Sequence, residues 1–204
     1  MKPGAFVVFC LLATSTASAQ SGFVQGTIGR EVKRFSGEPG EQLFDGTATD
    51  VTIGAGGFVA PHWTIGVEVD VGGRSTVRRS SQVTVSGRPT TIDTDYSIER
   101  RSAAAEVGYH TLPRRVRLGY YAGWSFTVTR REIASTAPPI VVTNPPTASV
   151  FTDRVAGFVV GIDAAIALTD HVAVVPSFRA QAVALSPDLI GHSYRPAIGA
   201  RVLF

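Results

Sequence analysis

An all-β fold is what this 204-residue sequence predicts: an eight-stranded antiparallel up-and-down barrel. Three observations carry the prediction. Apolar residues return at every second position over most of the chain, the period of a strand and not of a helix. The connections between the alternating segments are short and long in turn, as in a meander whose two ends differ. The composition, 44% hydrophobic and only 17% charged with 21 glycines and 12 prolines, is too apolar for disorder and favours short elements and turns over long helices. Beyond residue 19 no stretch supplies the roughly 18 uncharged apolar residues that a membrane helix needs. The excess of apolar surface therefore points to a transmembrane wall of strands.

Residues 1–19 read as a cleaved secretory signal peptide. Lys2 supplies the positive start, residues 4–13 the apolar run, and Ala17, Ser18 and Ala19 the small-residue cleavage site. The single cysteine, Cys10, falls inside it, so residues 20–204 carry no thiol, no disulfide and no thiolate metal site. Those residues form one domain. Strands are expected at about 22–35, 49–60, 63–79, 94–110, 115–131, 151–168, 171–185 and 193–204. In the third, Ile65, Val67, Val69 and Val71 alternate with Glu68 and Asp70. The fifth sets Val116, Leu118, Tyr120, Ala122, Trp124, Phe126 and Val128 against Arg117 and a row of small or polar residues. The sixth has an alanine-rich, helix-like composition, but its β-branched residues, Gly157, Gly161 and a central Asp163 favour a strand with Phe158, Val160 and Ile162 outside. Glycines blur the faces of the first two strands. Short turns are expected at Pro61-His62, 111–114 and Thr169-Asp170, and long polar loops at 36–48, 80–93, 132–150 and 186–192.

Even strand number, strands of about ten spanning residues, tight turns at one end and long loops at the other are the pattern of a bacterial outer-membrane barrel. A closed barrel gives every backbone group a partner where the bilayer offers none. With this pattern the chain resembles the small eight-stranded outer-membrane β-barrels, like the barrel domains of outer membrane protein A and outer membrane protein X. The most specific element is the last strand, where Tyr194, Ile198 and Val202 precede Phe204 at alternating positions. The resemblance implies a C-terminal assembly signal in these four residues, to be read by the outer-membrane insertion machinery, and a monomeric protein of the Gram-negative outer membrane.

An eight-stranded barrel is only just wide enough inside for its own side chains. Period two sends Glu68, Asp70, Glu106 and Asp163 inward together with Arg117, Arg179, Arg195 and Arg201, so a paired charge network is expected in place of an open channel. Of the 18 basic residues other than Lys2, 12 crowd the loop end. Arg78, Arg79, Arg100, Arg101, Arg130 and Arg131, with Arg30, Lys33, Arg34, Arg74, Arg88 and Arg154 near them, are expected as a collar. The family's orientation makes that end extracellular, where arginine can hold lipopolysaccharide phosphates. Trp63, Tyr109 and Phe204 at one end, and Phe35, Tyr96 and Phe151 at the other, are expected as interfacial girdles.

Other chemistry finds little footing. A pI of about 9.3 suggests nucleic acid, but the basic pairs are separated by strands and the chain is exported. His62, His110 and His171 map to short turns but are tethered around the wall, so no metal or cofactor is expected. His192-Ser193 is the one adjacent pair that suggests a lipid A-modifying enzyme, and its one-residue offset points the two side chains to opposite faces. The expected function is a non-enzymatic envelope or surface-contact protein with a filled lumen. A narrow passive pore for small solutes is the alternative, and a lipid A hydrolase a more remote one.

Overall fold

The computed structural model describes residues 22–36, 44–85, 87–111, 115–136, 148–186 and 189–204; the expected signal peptide lies outside these residues. Nine strands occur among them: β1 Gly22–Ser36, β2 Gly46–Ala60, β3 Trp63–Gly72, β4 Ser75–Val85, β5 Arg88–His110, β6 Val116–Thr136, β7 Ser149–Ala167, β8 Val172–Ser186 and β9 Leu189–Leu203. Neighbouring strands pair antiparallel in the order β3-β2-β1-β9-β8-β7-β6-β5, and β3 closes on β5. The result is an eight-staved up-and-down barrel in which β3 and β4 share one stave. Residues Gly22 and Phe204 exchange backbone hydrogen bonds of 2.9 and 3.1 Å at the short-turn end.

The shared stave corrects the expectation of one strand over 63–79. Pairing with β5 runs from Trp63↔Tyr109 to Val71↔Arg101, then resumes one residue out of step at Ser75↔Ile98. Gly73 still donates to Thr49 O at 2.6 Å while its own carbonyl accepts from Lys33 Nζ at 3.1 Å. One extra residue in a strand exchanges its two faces. Beyond the bulge, Ser75 shares its face with Ile98, and Arg78 shares the other with Asp95. The expected loop 80–93 is also largely strand. β4 and β5 form a hairpin paired as far as Val85↔Arg88, with Gly87 turning at φ +78°, where only glycine is at ease. At the fourth long connection, expected at 186–192, β8 and β9 pair to Ser186↔Leu189, so this too is a tight hairpin.

Within the wall, odd and even positions separate cleanly. On β6 the outward residues from Val116 to Val128 carry no charge. At about 3.3 Å per residue and a tilt of about 45°, that run rises roughly 28 Å, enough for an outward apolar band of about 25 Å. Inside, glycines leave room for large partners from other strands. A Cβ on Gly56 would meet the Phe23 ring at 2.7 Å, one on Gly108 the Tyr121 ring at 2.8 Å, and one on Gly161 would strike the Arg179 side chain. The ladder between β7 and β8 skips the positions between Asp163↔Ser177 and Ile166↔Val174, where Pro176 has no N–H to donate. A hollow of about 320 Å³ lies on the lipid side there, walled by Leu118, Tyr120, Ile162 and Phe178.

Candidate functional site

The interior is a stack of three layers, and its first layer, at the short-turn end, is aromatic. Phe23 and Phe58 meet at 6.3 Å between centroids, Phe58 and His110 at 5.4 Å, and His110 and Tyr121 at 5.4 Å. Cations lie over these rings: Arg117 at 5.1 Å from Phe58, Arg201 at 4.7 Å from Phe23, and Arg179 at 4.3 Å from Tyr121. His110 Nε2 is 3.0 Å from Thr64 Oγ1.

Charges fill the middle layer. Six carboxylates (Glu31, Asp50, Glu68, Asp70, Glu106 and Asp163) and five cations (Lys33, Arg100, Arg179, Arg195 and Arg201) are buried there. Arg195 is the hub, 2.9 Å from Asp70, 3.4 Å from Glu68 and 3.8 Å from Asp50. On one side the chain continues through Glu68 to Arg179 and on to Glu106, each step 3.6 Å. On the other, Arg100 bridges Asp70 at 3.4 Å to Glu31, which Lys33 approaches at 3.4 Å. Arg201 pairs with Asp163 and donates to Gln25 Oε1 at 2.6 and 3.0 Å and to Tyr121 Oη at 3.0 Å.

Among the described residues, an apolar cluster occupies the loop end of the lumen. Phe44, just before β2, packs with Phe35 and Ile98 against Tyr96 and Ile133. Asp45 anchors it by accepting the Phe35 N–H at 2.8 Å. Arg131 lies 5.6 Å over the Phe44 ring and pairs with Asp153 at 3.0 Å. Among the described residues, the void beside Glu68, Glu106, Arg179 and Tyr121 amounts to about 20 Å³, room for about one water.

Of the eight charges expected inside, Glu68, Asp70, Glu106, Asp163, Arg179, Arg195 and Arg201 meet in this stack. Arg117 does not join them: it sits at the rim of the aromatic layer with no carboxylate partner among the described residues. The expected collar divides by parity. Arg100 and Arg131 turn inward, to Glu31 and Asp153 respectively, whereas Arg101 and Arg130 turn outward with side chains 67% and 58% exposed. Arg78 and Arg79 ride on the hairpin above. Phe35 and Tyr96 belong to the apolar cluster and not to a girdle, while Trp63, Tyr109 and Phe204 are exposed on the outer wall. Lys33 belongs to the lumen network and not to the loop-end collar where it was expected, and Glu31 and Asp50 join it unannounced because glycines blur the faces of β1 and β2; the run Gln25, Thr27, Glu31, Lys33 against Val24, Ile28, Val32 nonetheless carries the alternation.

The histidines are spread. His62 Nδ1 donates to the His110 carbonyl at 2.8 Å and His171 Nδ1 to that of Leu203 at 3.2 Å. Ser193 accepts from Arg100 at 2.6 Å inside the barrel, on the face opposite to His192. Tyr194, Ile198, Val202 and Phe204 all lie on the outer wall, 42–62% exposed.

A closed barrel with an uncharged outer belt and a polar interior defines a protein of the bacterial outer membrane. Over residues 5–190 the chain matches the outer membrane protein beta-barrel domain, and it belongs to that family. Among solved structures it is similar to Ail, the attachment invasion locus protein of Yersinia pestis, crystallised in complex with the heparin analogue sucrose octasulfate. Identity is 12%, 90% of this chain and 99% of that one are covered, and the TM-score is 0.52. Neisserial surface protein A gives 18% identity over 90% and 97% of the two chains with a TM-score of 0.48. The outer membrane protein OprG from Pseudomonas aeruginosa gives 10% over 91% and 96% with a TM-score of 0.49. At such identities the likeness speaks for the fold alone. No curated relative matches the sequence.

Proposed function

We propose that this outer-membrane barrel is a non-enzymatic monomer whose lumen is closed by its own side chains, and whose loop end serves envelope structure or contact with other surfaces. The observation that carries this reading is the continuous buried ion-pair chain from Lys33 to Glu106. A conducting path would have to part several of these pairs, and each uncompensated buried charge costs several kcal/mol. Capping by Phe44 at one end and stacking of Phe58, His110 and Tyr121 at the other support the same reading. The β4–β5 hairpin, braced by Arg78 to Asp95 and Ser80 to Asp93, supports a role in surface contact. Ser193, engaged by Arg100 inside the barrel, lies on the face opposite to His192, which supports the non-enzymatic reading. The outward aspect of Tyr194, Ile198, Val202 and Phe204 supports their reading as the signal for the insertion machinery.

Planar-bilayer recordings on refolded residues 20–204 test the closed lumen. The expected result is no stable ohmic current; reproducible single-channel steps would favour the passive pore. Incubating the same preparation with lipid A should release no fatty acid.

A further inference from the structure

Inside the apolar belt, the ladder between β7 and β8 leaves one backbone carbonyl without a strand partner. Leu168 N donates to Val172 O at 2.9 Å, so this is a hydrogen-bonded position. Such positions recur at every second residue: Ile166↔Val174, then Ala164 opposite Pro176, then Ile162↔Phe178. Pro176 has no N–H, and the Ala164 carbonyl finds no other donor among the described residues. The neighbouring Ile162 carbonyl, by contrast, accepts from Arg179 Nη1 at 3.3 Å. Ala164 and Pro176 open onto the hollow of about 320 Å³, around which stand Leu118, Tyr120, Ile162 and Phe178. These four side chains are 42%, 49%, 52% and 41% exposed. Pro176 lies four residues above Val172, the first residue of β8. At about 3.3 Å per residue and a tilt of about 45°, the hollow is roughly 9 Å inside the short-turn edge of the belt.

We propose that this hollow binds a compact, uncharged aromatic molecule carrying one hydroxyl or N–H, which donates to the Ala164 carbonyl. Each part of that description follows from a feature of the site. A donor is called for because a carbonyl left unpaired in hydrocarbon costs several kcal/mol, and acyl chains have no donor to offer it. Charge is excluded because an ionised molecule would have to leave water to reach this depth. Compactness follows from depth as well. The hydroxyls and amines of phospholipid headgroups stay at the interface, so the donor has to arrive on a molecule that enters the hydrocarbon whole. The rings of Tyr120 and Phe178, with Leu118 and Ile162 beside them, offer a flat ring stacking and apolar contact. A volume of about 320 Å³ suits a small ligand, at the lower end of the roughly 300–1,000 Å³ usual for ligand pockets. The inference does not depend on whether the lumen conducts.

The test titrates refolded wild type in detergent micelles with 4-(trifluoromethyl)phenol and with its methyl ether, 4-(trifluoromethyl)anisole, following the fluorine NMR signal. Empty micelles give the partitioning background for each probe. Wild type should bind the phenol about fivefold more tightly than the ether, the effect of one added hydrogen bond. Pro176→Ala supplies the missing N–H to Ala164, so it should keep heat-modifiable gel migration, bind the ether as wild type does and lose the preference for the phenol. Ala164→Leu fills the hollow, and saturable binding of both probes should vanish. If Pro176→Ala fails to fold, the wild-type preference and the Ala164→Leu result still decide the matter. The proposal is overturned if wild type binds phenol and ether alike, if folded Pro176→Ala keeps the preference, or if folded Ala164→Leu binds both probes as wild type does.

Discussion

Two ion pairs of nearly equal length separate the lumen from the hairpin. Arg195 and Asp70 approach to 2.9 Å with side chains 4% and 1% exposed, whereas Arg78 and Asp95 approach to 2.8 Å at 66% and 30%. Distance does not rank them, because environment decides the strength of a charge pair. Water and salt screen the hairpin pair to little net value. The lumen pair sits where losing one partner strands the other, along with Glu68 and Asp50.

Breaking the lumen side should have the largest effect. Arg195→Met removes the hub from three carboxylates, and its unfolding free energy in urea, followed by gel shift in lipid vesicles, should fall by about 3–5 kcal/mol. In the double variant with Asp70→Asn the losses should not add, since the two share one network; strict additivity would deny that the network acts as a unit. Phe44→Ala opens the apolar cap and should cost about 3 kcal/mol in the same assay. Gly161→Val is smaller: the added side chain displaces Arg179 from its seat, for about 1–3 kcal/mol. Arg78→Ala sharpens the other side of the comparison, and the midpoint of global unfolding should stay at the wild-type value.

The hairpin pair should nevertheless report pH locally. Hydrogen bonds from Arg78 hold the Asp95 carboxyl below the usual carboxylate range. A lowered folded value means that the contribution is present above the unfolded value and lost as pH falls through the folded one. Amide exchange in the hairpin, corrected for intrinsic rates, should be flat from neutral pH into the carboxylate range and speed up only below it. In Arg78→Ala exchange should already be faster at neutral pH and the acid-linked rise should be lost, and an unchanged profile would remove the pair from the account.

Much of the barrel was legible because alternation is local. Ile65 to Val71 against Glu68 and Asp70, or Phe158 to Ile162 around Asp163, show their faces without reference to any neighbour. Even the β4–β5 hairpin left a trace, since Val83 and Val85 alternate before Ser86-Gly87, a turn signal flanked by strand-forming residues. The bulge at Gly73 left less. A glycine pair reads equally as flexible strand, and only the change of register between the β3–β5 and β4–β5 pairings shows that one residue is extra.

By itself, then, the sequence determined the strand period, the uncharged belt and the polarity of the inner face, since these depend on positions two residues apart. The tertiary structure decided which charges meet and which arginines are inside. Arg201 finds Gln25 across 176 residues and Arg100 finds Ser193 across 93, because barrel closure brings distant staves face to face. Parity alone sends Arg100 to Glu31 in the lumen and its neighbour Arg101 to the membrane edge. Adjacent residues on a strand face opposite solvents, and only ring closure makes one of those solvents the protein itself.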